Sequence, residues 1–233
     1  MSHDLLLLLS VPVIFGSVLL AYRLFGKAGL FCVSAAATIL ANIEVVMLIE
    51  AFGMEQTLGN VLFASTFLIT DILSECEGKD QANKAVWLGI FSTVFFLVLS
   101  QSWRLYTPGA NDLMAPYVRE LFATTPRVIA ASLAVYVISQ FFDVWLYHKW
   151  WDFTQRRFSD RRRFLWLRNN GSTLVSQFIN AVLFNVFAFA GTYDASTMVM
   201  ICLSTYVIYV FTSLLDTPFV YLARYIHDKA VRS

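Results

Sequence analysis

Six carboxylates fall within stretches that are otherwise almost wholly apolar. Glu44 and Glu50 belong to the second such stretch, Asp71 and Glu75 to the end of the third, Asp143 to the fifth and Asp216 to the seventh. An acid at the centre of a bilayer costs about 2.5–3.5 kcal/mol on insertion scales, so each one retained there is expected to face a bundle interior and serve a function. Those near an interface can reach water by bending outward, so depth decides how much each one means. Asp71 and Glu75 are four residues apart and share a helix face, where like charges repel unless a cation, a proton or a donor-rich ligand lies between them. Thr173, Gln177 and Asn180 follow the i, i+4, i+7 rule, and Tyr209, Thr212, Ser213 and Asp216 trace a similar stripe. Such stripes either glue helices together through hydrogen bonds or line a site. Carboxylates, amides and aromatic planes together match what a nucleobase requires: an acid accepts two parallel N–H groups, an amide satisfies carbonyl and amino groups, and a ring stacks on the face.

The elements that position these groups follow from composition. The chain has 233 residues, 58% hydrophobic and 14% charged, with a mean hydropathy of +0.63. A soluble domain carries roughly a quarter charged residues, so an aqueous enzyme is excluded. Seven segments reach the ~20 apolar residues that a span needs: 5–22, 28–51, 58–75, 85–106, 126–148, 171–190 and 196–222. The expected fold is all-α, a polytopic integral membrane helical bundle of six or seven transmembrane helices with no soluble domain. Residues 1–233 form a single transmembrane transporter domain, with long connections only at 107–125 and at the basic loop 149–170.

Charge sets the expected orientation. Leu5 to Tyr22 has no basic residue before it and no small-residue cleavage site after it, so it is retained as a helix. With seven spans and the N-terminus outside, 14 of the 17 basic residues fall on the cytoplasmic side, and Arg104, Arg119 and Arg127 remain outside. A re-entrant third segment would lower the count to 12. Both arrangements leave the C-terminus cytoplasmic.

Several other chemistries fall away. The run from Arg156 to Arg163 is what a cytoplasmic loop requires and has no RNA-binding motif beside it. Net charge is +1, so no global field recruits nucleic acid. Asn170-Gly171-Ser172 reads as a helix start with Asn170 as N-cap. Cys32, Cys76 and Cys202 are widely spaced and form no metal motif, and His3, His148 and His227 lie at segment ends. No cofactor, metal or Walker motif is expected, and the chain is not expected to be an enzyme.

Three blocks carry a resemblance. Asp71-Ile72-Leu73-Ser74-Glu75-Cys76-Glu77-Gly78 resembles the D-x-x-[ST]-E-x-x-G signature of the queuosine precursor transporter family, also called the vitamin uptake transporter family. Trp166 to Gln177 resembles that family's W-x-R-N-x-x-S-T-x-x-S-Q stretch, and Ala41-Asn42-Ile43 its A-N-I. The resemblance implies import of 7-deazaguanine precursors of queuosine across a bacterial cytoplasmic membrane. It places weight on Asn42, Asp71, Glu75, Arg168, Asn169, Asn170, Ser176 and Gln177. Family members usually carry an aspartate where this chain has Asn180. An amide accepts at one atom, donates at the other and never titrates, so the substrate or the coupling is expected to depart from the family norm. Queuine or the nucleoside then stands beside the cyano and aminomethyl bases.

The resulting expectation is an alternating-access carrier that binds a nucleobase or nucleoside midway through the bundle. Asp71 and Glu75 would meet ligand edges or handle protons, Glu44 would face the same interior, and Arg168 would hold one of the acids. Gln177 and Asn180 would contact polar edges. Two alternatives stay open: the substrate-binding subunit of an energy-coupling-factor transporter with a separate ATPase module, and a homodimer. Ala37 and Ala41 have a spacing that lets helices approach closely, which ordinary packing or a homodimer contact also explains. Proton coupling is equally open.

Overall fold

Gly26 breaks the first apolar run in two. In the computed structural model, which describes residues 3–45, 47–123, 126–158, 164–189, 191 and 194–232, with backbone alone at 48, 54–56, 126–129, 189 and 232, helix α1 (His3–Glu44) reverses at Gly26, φ 58° and ψ −146°. A side chain there would be strained. Just beyond it Gly29 lies so close to the Ala21 carbonyl that a Cβ would collide with it. The two arms therefore run back alongside each other. A β-hairpin closes the loop: β1 (Leu48–Ala51) pairs antiparallel with β2 (Met54–Thr57), Leu48 opposite Thr57. Phe52 and Gly53 turn it with φ of 54° and 69°, the double left-handed pattern of a type I′ turn. Asp4 at the start of α1 accepts the Phe52 amide at 2.6 Å, which returns the hairpin to the first turn of the chain.

That hairpin corrects the expected second span. The helix ends at Glu44 rather than 51, and Glu50 stands exposed in β1. A two-residue turn with both φ positive is incompatible with a continuing helix.

Helix α2 (Gly59–Cys76) is about 27 Å long at 1.5 Å per residue and is buried on nearly every face, between α1, α3, α5 and α7. It stops where the amides of Glu77 and Gly78 both return to the Leu73 carbonyl, at 2.9 and 2.8 Å. Gly78 has φ 91°, which gives a physical reason for the glycine that closes D-x-x-S-E-x-x-G. Helix α3 (Lys79–Trp103) follows directly. The long connection 107–125 contains a short helix, α4 (Ala115–Leu121). Then come α5 (Pro126–Phe158), α6 (Leu165–Phe189) and α7 (Ala195–Arg232). Five helices, α1, α3, α5, α6 and α7, are long and apolar enough to cross a membrane. The chain is a multi-pass membrane protein.

The basic loop expected at 149–170 is mostly helix. Arg156 and Arg157 occupy the last turn of α5, while Arg168 and Asn170 lie inside α6; Arg161, Arg162 and Arg163 lie outside the described residues. Asn170 is consequently not an N-cap: its Nδ2 donates to the Trp166 carbonyl at 3.0 Å. Arginine sustains the helical hydrogen-bond ladder as well as leucine does, so polarity ends the span without ending the helix.

Burial is inverted relative to a soluble protein. Asp71, Asp143, Arg168 and Gln140 are fully buried, whereas Leu24, Phe25, Trp87 and Phe91 are exposed. Apolar side chains face lipid, and the polar groups must satisfy one another inside the bundle.

Candidate functional site

Helices α2 and α6 run antiparallel, and their polar residues meet in three tiers. At one end Glu75 is the centre of an ion cluster. Arg168 Nη2 donates to both of its carboxylate oxygens at 2.9 Å, Arg224 of α7 lies 3.1 Å from Oε1, and the Tyr147 hydroxyl of α5 donates to Oε2 at 2.6 Å. The Arg168 guanidinium also lies over Trp151, 4.4 Å from the ring centroid. Four helices are thus tied at one carboxylate. Charge-assisted bonds of this kind are the strong ones.

In the middle tier, carboxyls accept from side chains of α6. Thr173 Oγ1 donates to Asp71 at 2.9 Å, Ser176 Oγ to Asp143 at 2.7 Å and Asn169 Nδ2 to Asp216 at 2.6 Å. Beside them Gln140 of α5 donates to Thr66 at 2.6 Å. Gln177 differs from all of these. It is 1% exposed, and neither its Oε1 nor its Nε2 has a hydrogen-bond partner. An amide buried in this way costs about 1–3 kcal/mol.

At the opposite end, next to the β-hairpin, lies a narrow pocket of about 50 Å³. Asn42 and Thr38 of α1, Asn60 and Phe63 of α2, Tyr136 of α5, Asn180 of α6 and Tyr209 of α7 line it. Asn180 Nδ2 donates to the Tyr209 hydroxyl at 3.1 Å, and that hydroxyl reaches Asn60 Oδ1 at 3.4 Å. The Phe63 ring stands edge-on to Tyr136 at 6.0 Å and is tilted against Tyr209 at 6.4 Å. Amides that both donate and accept therefore share one wall with three aromatic rings.

The described residues include no group of three or more His, Cys, Asp or Glu side chains able to hold a metal.

Residues 57–223 match the family model described as "Putative vitamin uptake transporter". The chain belongs to the vitamin uptake transporter family. It is also 40% identical over 207 residues, 89% of this chain and 88% of the relative, to the "Probable queuosine precursor transporter" of Bacillus subtilis (strain 168). No solved structure matches the chain.

Within this family member the structure separates the residues that the sequence had grouped. Asp71 and Glu75 have different protein partners: Asp71 joins the middle tier and Glu75 the ion cluster. Arg168 holds Glu75, and Asn169 holds Asp216. Asn170 Nδ2 donates to Thr217 Oγ1 at 2.7 Å, bracing α6 against α7. Ser176 is spent on Asp143. Asn42 and Asn180 reach the pocket, with Gln177 one turn from Asn180. Glu44 ends α1 half-buried and is not among the described lining residues.

Sequence reasoning left Asn60, Phe63, Tyr136, Arg224 and Tyr147 out. Asn60, Phe67, Asp71 and Ser74 repeat at helical spacing along α2, a stripe that could have indicated Asn60. Asp143 and Asp216 stood out as intramembrane acids, but nothing local assigned their partners.

Proposed function

We propose that this protein imports 7-deazaguanine precursors of queuosine across the bacterial cytoplasmic membrane by alternating access. The observation that carries this reading is the pocket walled by Asn42, Asn60, Asn180 and Tyr209, with Phe63 and Tyr136 as ring faces and the unsatisfied Gln177 nearby. A deazaguanine edge presents both donors and acceptors, which amides match without a charge, and its flat face suits aromatic neighbours. The Bacillus subtilis relative, named for queuosine precursors and aligned over most of both chains, supports the substrate class.

Orientation follows from charge. Lys79, Lys84, Arg156, Arg157 and Arg224 cluster at the end of the bundle that holds the Glu75 ion cluster, and basic ends stay in the cytoplasm. The C-terminus is then cytoplasmic. The pocket opens outward, and the Glu75 cluster closes the inner side. Inward opening requires Arg168, Arg224 and Tyr147 to leave Glu75.

The test is uptake of labelled cyano, aminomethyl, queuine and nucleoside forms by the purified chain in proteoliposomes, with guanine as decoy. Uptake of one of them by the chain alone supports a self-sufficient carrier. Binding without uptake unless ATPase subunits are added would identify an energy-coupling-factor subunit instead, and no binding would overturn the substrate assignment.

A further inference from the structure

Thr173 and Ser176, one turn apart on α6, bring Asp71 of α2 and Asp143 of α5 to the same stretch of that helix, both fully buried. Each already accepts a hydroxyl on one oxygen, from Thr173 at 2.9 Å and from Ser176 at 2.7 Å. The remaining oxygens, Asp71 Oδ1 and Asp143 Oδ2, are buried and receive no donor from the protein. Ionised carboxylates carry no donor of their own, so two neighbouring buried acids, each with an unpartnered oxygen, lack a hydrogen that the surrounding side chains do not supply.

The facing groups leave that hydrogen missing. From α7 comes Asp216, a third acid, whose own donor is Asn169 at 2.6 Å. The Tyr147 hydroxyl of α5 is committed to Glu75 at 2.6 Å. Glu75, one turn along α2, has Arg168 of α6 and Arg224 of α7 against it. Gln177 supplies a second observation. It lies one turn along α6 from Thr173, on the same face and toward Asn180, with both amide atoms unpartnered at 1% exposure. Gln177 thus stands on α6 between Thr173, which serves Asp71, and Asn180, which lines the pocket.

We propose that Asp71 and Asp143 share a single transferable proton, and that its binding and release couple substrate movement to a proton gradient. This rests on the reading of the chain as a carrier. The proton enters from the pocket side, sits between the two carboxyls while the substrate is bound, and leaves toward the Glu75 end as the substrate departs. No covalent bond to substrate forms.

The experiment uses the purified chain in proteoliposomes with a labelled 7-deazaguanine base and an entrapped pH dye. The wild type should exchange the base without any gradient. Under a one-unit inward proton gradient it should accumulate the base about tenfold if one proton moves per substrate, with acidification of the lumen on substrate addition. Asp143→Asn should retain exchange and lose both accumulation and acidification. Infrared spectra of the wild type should show the carbonyl stretch of a protonated carboxylic acid that is absent from Asp143→Asn. Accumulation driven by sodium alone, accumulation without acidification, or absence of that stretch would overturn the proposal. Absence of exchange in the wild type would instead overturn the carrier reading, and the infrared band would still decide whether the pair holds a proton.

Discussion

Arg168 on α6 and Glu75 on α2, 93 residues apart in the chain, form a buried ion pair. Nη2 lies 2.9 Å from each carboxylate oxygen, with side-chain exposures of 0% and 2%. The pair joins the two sequence blocks that carry the family signature, so neither block has its full meaning without the other. In a bilayer such a pair is held by geometry as much as by charge, because neither ion can retreat to water.

Removing one partner strands the other. Truncating half of a buried pair costs about 3–5 kcal/mol, and Arg168→Met is expected near the low end because Arg224 still reaches Glu75. The double variant Arg168→Met, Glu75→Gln should recover part of that loss. Unfolding midpoints of the purified variants in detergent measure it; strictly additive losses would mean that the two residues are not coupled.

Gln177→Leu should move stability and binding in opposite directions. The substitution removes an unsatisfied amide, relieving about 1–3 kcal/mol in the ligand-free protein. It also removes the group best placed to meet a ligand's polar edge, so affinity should fall about tenfold, equivalent to about 1.4 kcal/mol. Thermal unfolding with and without the aminomethyl base reads both effects. A ligand-free variant less stable than wild type would show that Gln177 has an internal partner.

Asn180→Asp places at the pocket wall the aspartate that the family resemblance leads one to expect there. A carboxylate accepts at both oxygens, so it should favour ligands presenting two parallel N–H groups by about 1–3 kcal/mol, the range for a good bidentate contact. Competition among the cyano base, queuine and the nucleoside, measured for both proteins, checks this. An unchanged rank order would show that the residue does not touch the base.

Gly29→Ala should destabilise the protein by about 1–3 kcal/mol through overpacking, because the added Cβ meets the backbone carbonyl of Ala21, which cannot move without opening the α1 hairpin. Gly16→Ala on the same helix finds nothing within 4 Å and should stay within about 0.5 kcal/mol. Yield of folded protein and unfolding midpoint report the difference.

The amino-acid sequence by itself determined the solvent and the building blocks. An apolar share of 58%, gathered in runs of about 20 residues, calls for helices whose greasy sides face lipid, because a bilayer tolerates only backbones that satisfy themselves. The same reasoning singled out Asp71, Asp143 and Asp216, because an acid in such a helix needs a reason to remain. Local pattern also separated the segments 5–22 and 28–51, while the positive φ of Gly26 and Gly78 emerged only from the fold. Tertiary structure alone decided which acid answers to which donor. Asp71 and Glu75 share a helix face, yet one meets Thr173 and the other Arg168, because four residues of α2 advance about 6 Å and bring a different turn of α6 into reach. Hydrogen bonds act over about 3 Å, so partners separated by 93 or 102 residues are set by helix packing rather than by spacing along the chain.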